Sequence, residues 1–243
     1  MGGELVRREE VGELVGRLSG DQVDSRERGR LLAQLTGLLA GGFRAAGARA
    51  TLSGGWLAEV VSDIAPHIPV RDLDTLRLHH GGLSGDALAE ALVRQASRAT
   101  AGVGAAGGAL AAVQHAAPPT LLVAPVQLAA ETVAVIAVEL KLVAELHVLY
   151  GRAPLAPAPQ VAAAYVGSWA AKRAVDLSQG VPGLGVVLGA AARQQLRRRV
   201  ARRLGRNLST MAPLLAGAVA GAELNRRETR LLGEALIAEL RSS

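Results

Sequence analysis

Residues 121–150 read LLVAPVQLAAETVAVIAVELKLVAELHVLY, the strongest hydrophobic helical stretch in the chain. It is long enough to span a bilayer, yet it carries Glu131, Glu139, Lys141 and Glu145. Each charge near the centre of a span costs about 2.5–3.5 kcal/mol, against about 0.3–0.6 kcal/mol gained per large aliphatic. Four charges therefore nearly cancel the aliphatic gain, and the spacing predicts a buried helix of a helical bundle. Gly151, directly after Tyr150, stands where a helix C-terminal stop is expected.

Outward from this helix the periodicity stays helical, with no strand-like alternation and no repeat of fixed period. Val11, Leu14, Val15 and Leu18 recur at i, i+3, i+4, i+7, as do Leu31, Leu35, Leu38 and Leu39, which predicts two amphipathic helices. Ser19-Gly20-Asp21 separates them, and glycines 41, 42 and 47 followed by Ser53-Gly54-Gly55 are expected to end the second region. A short helix around Trp56 to Ile64 runs into Pro66 and Pro69, and Ser84 reads as the N-cap of the next helix. From Ala99 to Ala130 there are 32 residues without Lys, Arg, Asp or Glu. Gly102, Gly104, Gly107 and Gly108 are expected to weaken any regular helix there, and Pro118-Pro119 to break it. After a Pro-rich connector at 153–159, a helix is predicted over 160–177.

Two uncharged segments, 177–192 and 207–222, are 16 residues each and fall just short of a membrane span. Gly185 with Gly189, and Gly217 with Gly221, make G-x-x-x-G pairs that let two helix backbones approach closely, in lipid or in a tight bundle. The expected fold class is all-α: a multi-helix bundle with one long central buried helix and Gly/Ala-rich close helix packing. The organisation expected is an amphipathic N-terminal region, 1–95, and a helical core, 96–243.

The composition excludes several classes. Five aromatic residues among 243 leave few platforms for stacked bases, the absence of cysteine removes thiolate chemistry and disulfides, and half the residues are apolar, which excludes a disordered chain. Residues 1–100 carry 12 basic and 13 acidic groups, whereas residues 101–243 carry 15 and 8, so the net charge of +6 belongs to the C-terminal half. The start of the chain lacks the apolar run of a secretory signal, so a cytoplasmic location is expected, peripheral at the inner face of the cell membrane if the chain docks there.

The basic residues concentrate in one predicted helix, where arginine fills seven of the fourteen positions from Arg193 to Arg206. Leu196, Val200, Leu204 and Leu208 form a narrow apolar stripe, and Arg198, Arg199, Arg202, Arg203 and Arg206 lie within a roughly 140° arc opposite it. With Arg197, these arginines are the candidate membrane- or partner-binding residues. An anionic lipid surface, nucleic-acid phosphates, or a solvated face paired with glutamates such as Glu223, Glu228 and Glu234 would each satisfy such a face. The apolar segments on both sides and the scarcity of aromatics favour a membrane over nucleic acid.

Glu131, Glu139 and Glu145 lie within about 120° of one another around the central helix, and with Lys141 and His147 form a candidate buried polar cluster. Carboxylates on an apolar face need partners, so ion pairs within the bundle are expected. Helical di-metal sites use Glu-x-x-His, and Glu145-Leu146-His147 has the wrong spacing, so no metal or other cofactor is expected. His79 and His80 point about 100° apart on a helix and chelate poorly. No nucleophile–base pair, phosphate-binding loop or dinucleotide fingerprint stands in a suitable context, so no catalytic residue is assigned.

The run from Val138 to His147 ending in Tyr150-Gly151, the glycines around Gly183-Leu184-Gly185, and Pro213 to Ala222 leading to Asn225 together resemble the EcsC protein family. The similarity covers roughly residues 95–240. The resemblance implies an α-helical protein that in some bacteria is associated with an ABC-transporter locus, and it carries over no catalytic residues. The Arg-rich helix is not part of it. The expectation is thus a non-enzymatic scaffold on a membrane surface or membrane protein. Its alternatives are a helical oligomerisation or interaction module without membrane contact, and an enzyme using Glu131, Glu139 and Glu145.

Overall fold

The computed structural model describes residues 2–18, 20, 23–52, 55–115, 123–154, 158–175 and 214–242. Among them are eight α-helices and no strand: α1 (Gly2–Leu18), α2 (Ser25–Leu52), α3 (Gly55–Ile64), α4 (Leu73–His79), α5 (Gly85–His115), α6 (Val123–Leu149), α7 (Ala158–Val175) and α8 (Leu214–Ser242). A 3₁₀ turn, Ala65–His67, follows α3 at Pro66.

Helix α6 is the centre of the bundle. It is buried without interruption from Thr132 to Leu146 and packs against α1, α2, α3, α5, α7 and α8. One contiguous core runs from Val11 on α1 to Leu240 on α8, and the junction drawn at 95/96 lies inside the unbroken helix α5.

Local chemistry sets the helix ends. Gly151, at φ +67°, closes α6: its N–H reaches the Val148 carbonyl at 3.1 Å, and Arg152 N–H reaches the His147 carbonyl at 2.7 Å. This left-handed glycine cap satisfies two carbonyls that the helix itself leaves open. Helix α4 ends the same way, with Gly81 at φ +64° and Gly82 N–H bonded to the Arg77 carbonyl at 2.8 Å. Its start is held by Asp72, whose side chain accepts from Thr75 N–H at 2.8 Å and from the Thr75 hydroxyl at 3.0 Å. Asp24 does the same for α2, accepting from Glu27 N–H at 2.8 Å. Helix α2 runs on through glycines 41, 42 and 47 and ends at Leu52, beside Ser53-Gly54.

Three aspartates gain hydrogen bonds on folding, and each carboxyl is held below its ordinary value of 3.8: Asp24 by the Glu27 N–H, Asp72 by Thr75, and Asp86 by Arg241 and then Tyr150. A carboxyl whose folded pKa is depressed adds stability above its unfolded pKa and loses it as pH falls through the folded value. The urea midpoint should therefore be flat near neutrality and fall as pH drops below about 4. Asp72→Asn should flatten part of that fall; an unchanged acid limb in this variant would exclude Asp72 from it.

The expectation that Gly102, Gly104, Gly107 and Gly108 weaken the helix is corrected: α5 continues through all four to His115. The helix penalty of about 1 kcal/mol per glycine is outweighed by packing, because Gly102, Gly104 and Gly107 admit neighbours that a side chain would displace. A Cβ at Gly104 would lie 2.9 Å from the Gly221 carbonyl carbon and 3.0 Å from Ala222 N, both backbone atoms of α8. One at Gly102 would meet the Arg28 guanidinium, and one at Gly107 the Glu131 carboxylate.

Helices α5 and α8 form the most extensive helix pair, antiparallel and in a constant register. Gly104 meets Gly221, Thr100 meets Asn225, Val93 meets Gly233 and Asp86 meets Arg241. The close approach at Gly221 is therefore to the glycine-rich part of α5. The crossing is also asymmetric: a Cβ at Gly221 has its nearest neighbour, the Gly104 carbonyl oxygen, at 4.0 Å. Gly104→Ala should thus destabilise by about 1–3 kcal/mol through overpacking against backbone, whereas Gly221→Ala should be neutral or stabilising. Equal effects of the two substitutions in urea melts would contradict this crossing.

Candidate functional site

The charged residues of α6 do not converge on one centre. The helix places Glu131, Glu139 and Glu145 against three different sets of partners.

Glu131, partly buried near the start of α6, accepts from Gln127 Nε2 at 3.0 Å, and the same amide nitrogen donates to the Gly107 carbonyl at 2.6 Å. Glu139 is fully buried. Its Oε2 accepts from Trp169 Nε1 on α7 at 2.8 Å and its Oε1 from the Thr229 hydroxyl on α8 at 2.9 Å. Thr229 Oγ1 lies 3.0 Å from Thr100 Oγ1 on α5, and Asn225 Nδ2 donates to the Thr100 carbonyl at 3.3 Å. Glu139 thus ties α6 to α7 and α8 directly, and to α5 through the Thr229 hydroxyl, by hydrogen bonds in a low-dielectric interior.

Glu145, 3% exposed, is gripped by two cations. Arg71, from the loop before α4, binds it in a fork, Nε to Oε1 at 2.8 Å and Nη2 to Oε2 at 3.0 Å. Lys141, one turn earlier on α6, pairs with Oε1 and also donates to the Pro69 carbonyl at 3.2 Å. Arg71 Nη1 donates to His79 Nδ1 at 3.3 Å. His147 faces elsewhere: its Nδ1–H donates to the Val143 carbonyl at 2.7 Å, and its ring lies 5.4 Å from that of Tyr165. Lys141 and Glu145 are therefore brought together, while Glu131, Glu139 and His147 stand apart from them.

Beside the Arg71, Lys141 and Glu145 cluster is a cavity of about 20 Å³, bounded also by Leu92, Gln95 and Ala99. Gln95 Oε1 is buried and has no hydrogen-bond partner. This is the best-defined candidate site among the described residues: a fixed carboxylate, two cations and one unsatisfied amide oxygen beside a small, partly open pocket.

Arg71, Gln95, Trp169, Thr229 and Thr100 are missing from the residues singled out by sequence. Arg71 lies in a loop 74 residues from its partner, and Thr229 stands on a helix whose neighbours are charged and exposed. Neither periodicity nor composition marks them.

A second buried cation, Arg28 on α2, packs over Gly102 at 7% exposure. Burial pushes its guanidinium pKa down, a shift that the Asp24 carboxylate partly offsets, and its Nε has no partner. Arg28→Met should raise stability by about 1–3 kcal/mol in urea melts; a loss of that size would mean that the guanidinium holds α2 to α5.

The arginines at 197, 198, 199, 202, 203 and 206, with Gly185 and Gly189, lie outside the described residues. Gly217 lies on α8, one turn before Gly221. Among the described residues no group of three or more His, Asp or Glu is placed to hold a metal ion, and no helix is long and apolar enough to cross a membrane.

Fold and site together define an all-α bundle with buried, internally paired charges. Comparison with protein-family models, with curated proteins and with solved structures finds no match.

Proposed function

We propose that this chain is a non-enzymatic helical scaffold that docks on an anionic membrane surface, or on a membrane protein there, through the arginine face at 197–206. The observation that carries the reading is the charge pattern itself: seven arginines in fourteen positions, most of them opposite an apolar stripe, in a half-chain with 15 basic and 8 acidic residues. Phosphate-bearing headgroups match such a guanidinium face. Gly221 belongs to α8 and faces Gly104 of α5. Docking on this reading is electrostatic, through the arginine face. A link to a transporter, as the EcsC resemblance implies, belongs to the same proposal.

A helical interaction module without membrane contact is the second reading, and the Gly104–Gly221 crossing favours it, because small-residue packing is here used within one chain. An enzyme using Glu131, Glu139 and Glu145 draws no support from their dispersal onto separate partners.

Co-sedimentation with vesicles containing phosphatidylserine separates the readings. Near the surface each arginine contributes about 1 kcal/mol. The proposal therefore expects binding at low salt, its loss at high salt, and its loss when Arg197, Arg198, Arg199, Arg202, Arg203 and Arg206 are all changed to Gln. Equal recovery with neutral vesicles, or none with anionic ones, would overturn it and leave the second reading.

A further inference from the structure

We propose that the tip made by the last turn of α4 and the turn after it, with Leu78 and Leu83 at its surface, seats shallowly in the headgroup layer of an anionic membrane. The inference rests on the reading that this chain docks on such a membrane, and it adds an apolar contact at a site separate from the arginine face.

Exposure and rigidity come first. Leu78 is 79% exposed and Leu83 38%. Single exposed leucines are ordinary, but these two stand on a turn whose shape is fixed. Asp72 caps the start of α4, and past its end Gly82 N–H reaches the Arg77 carbonyl at 2.8 Å and Leu83 N–H the His80 carbonyl at 3.3 Å. Gly81 and Gly82, at φ +64° and +81°, give the backbone the left-handed steps that this turn needs. The segment is tied to the bundle by Leu76, which is fully buried, by the Arg71 fork on Glu145, and by Lys141 on the Pro69 carbonyl. A tip ordered before it docks has little conformational freedom left to lose.

Charge selects the occupant. From Thr75 to Gly85 there is no Asp or Glu, and the ionisable residues are Arg77, His79 and His80. The flanking acids are set back or engaged. Asp72 and Asp74 lie at the other end of α4, Asp74 about 6 Å along the axis from Leu78. Asp74 makes an exposed pair with Arg77 at 3.6 Å, and Asp86 accepts from Tyr150 and Arg241. An apolar tip with a basic rim matches an anionic headgroup layer: the leucines enter it while the arginine and histidines stay level with the phosphates. Leu231 on α8 is 42% exposed as well, but Glu228 and Glu234 stand one turn to either side, so the same surface repels it.

The test is made on the full chain, which contains no cysteine. Leu78→Cys carries one environment-sensitive fluorophore, and Leu231→Cys carries the control. With phosphatidylserine vesicles at low salt, the label at 78 should shift to the blue and become shielded from acrylamide, while the label at 231 does neither. Leu78→Ser should weaken co-sedimentation about three- to tenfold and leave the urea midpoint unchanged, because the side chain is already exposed. Sedimentation without a shift at 78 would overturn the tip and leave the arginine face standing. A shift at 78 that survives the change of the face arginines to Gln would uphold the tip and overturn that face. Absence of sedimentation would overturn both, and shielding at 78 without vesicles, growing with protein concentration, would assign the tip to a second copy of the chain instead.

Discussion

Glu145→Gln should destabilise the protein by about 3–5 kcal/mol, the largest loss expected from a single isosteric change in this chain. The substitution preserves shape and removes one charge. It leaves Lys141, 7% exposed, and Arg71 facing a neutral amide that can accept from only one of them well. Removing a cation instead should cost less, because Arg71 and Glu145 remain a complete forked pair when Lys141 becomes Met. Denaturant unfolding of Glu145→Gln, Lys141→Met and the double variant gives a coupling energy. The expected order is a large loss for Glu145→Gln, a small loss for Lys141→Met, and partial recovery in the double variant. A loss below about 1 kcal/mol for Glu145→Gln would show that water already reaches this cluster.

Glu139→Leu should cost about 2–4 kcal/mol, for a different reason. Leucine fills much of the same volume, so the loss is that of the acceptor. Trp169 Nε1–H would be left buried without a partner, whereas the Thr229 hydroxyl can turn to Thr100 Oγ1, 3.0 Å away. Most of the effect therefore sits on the indole. In a Trp56→Phe background, where Trp169 is the remaining tryptophan, the emission of the folded state should change with Glu139→Leu, and Thr229→Val should move it far less. Similar losses from Glu139→Leu and Thr229→Val would place the energetic centre at the hydroxyl instead.

These two residues also mark where sequence reading stops. That residues 121–150 make the buried centre of an all-α bundle follows from an apolar run too charged for lipid, and the stop at Gly151 follows from the residue itself. Angular position on the helix placed Glu131, Glu139 and Glu145 near one another, but a helix buried on all sides offers each turn a different neighbour. Glu139 meets α7 and α8, and Glu145 meets the loop before α4. Such pairings depend on tertiary register, and a one-dimensional period carries none of it. The glycines of α5 make the same point. Read by propensity, Gly102, Gly104 and Gly107 are interruptions; in the bundle they are the places where Arg28, α8 and Glu131 come closest. Helix α8 and its partner are 125 residues apart at Thr100 and Asn225, and the G-x-x-x-G spacing at Gly217 and Gly221 says that something approaches without saying what.

We expect α8 to stay packed along α5, with Gly221 against Gly104, also when the protein meets a membrane. The chain contains no cysteine, so a designed pair reports without background. Thr100 and Thr229 have hydroxyl oxygens 3.0 Å apart, so the two side chains face each other across α5 and α8. Thr100→Cys with Thr229→Cys should form an intramolecular disulfide under mild oxidation, to the same extent with and without phosphatidylserine vesicles. Failure to crosslink in solution would contradict the α5–α8 register, and crosslinking lost when vesicles are added would show that α8 leaves the bundle for the membrane.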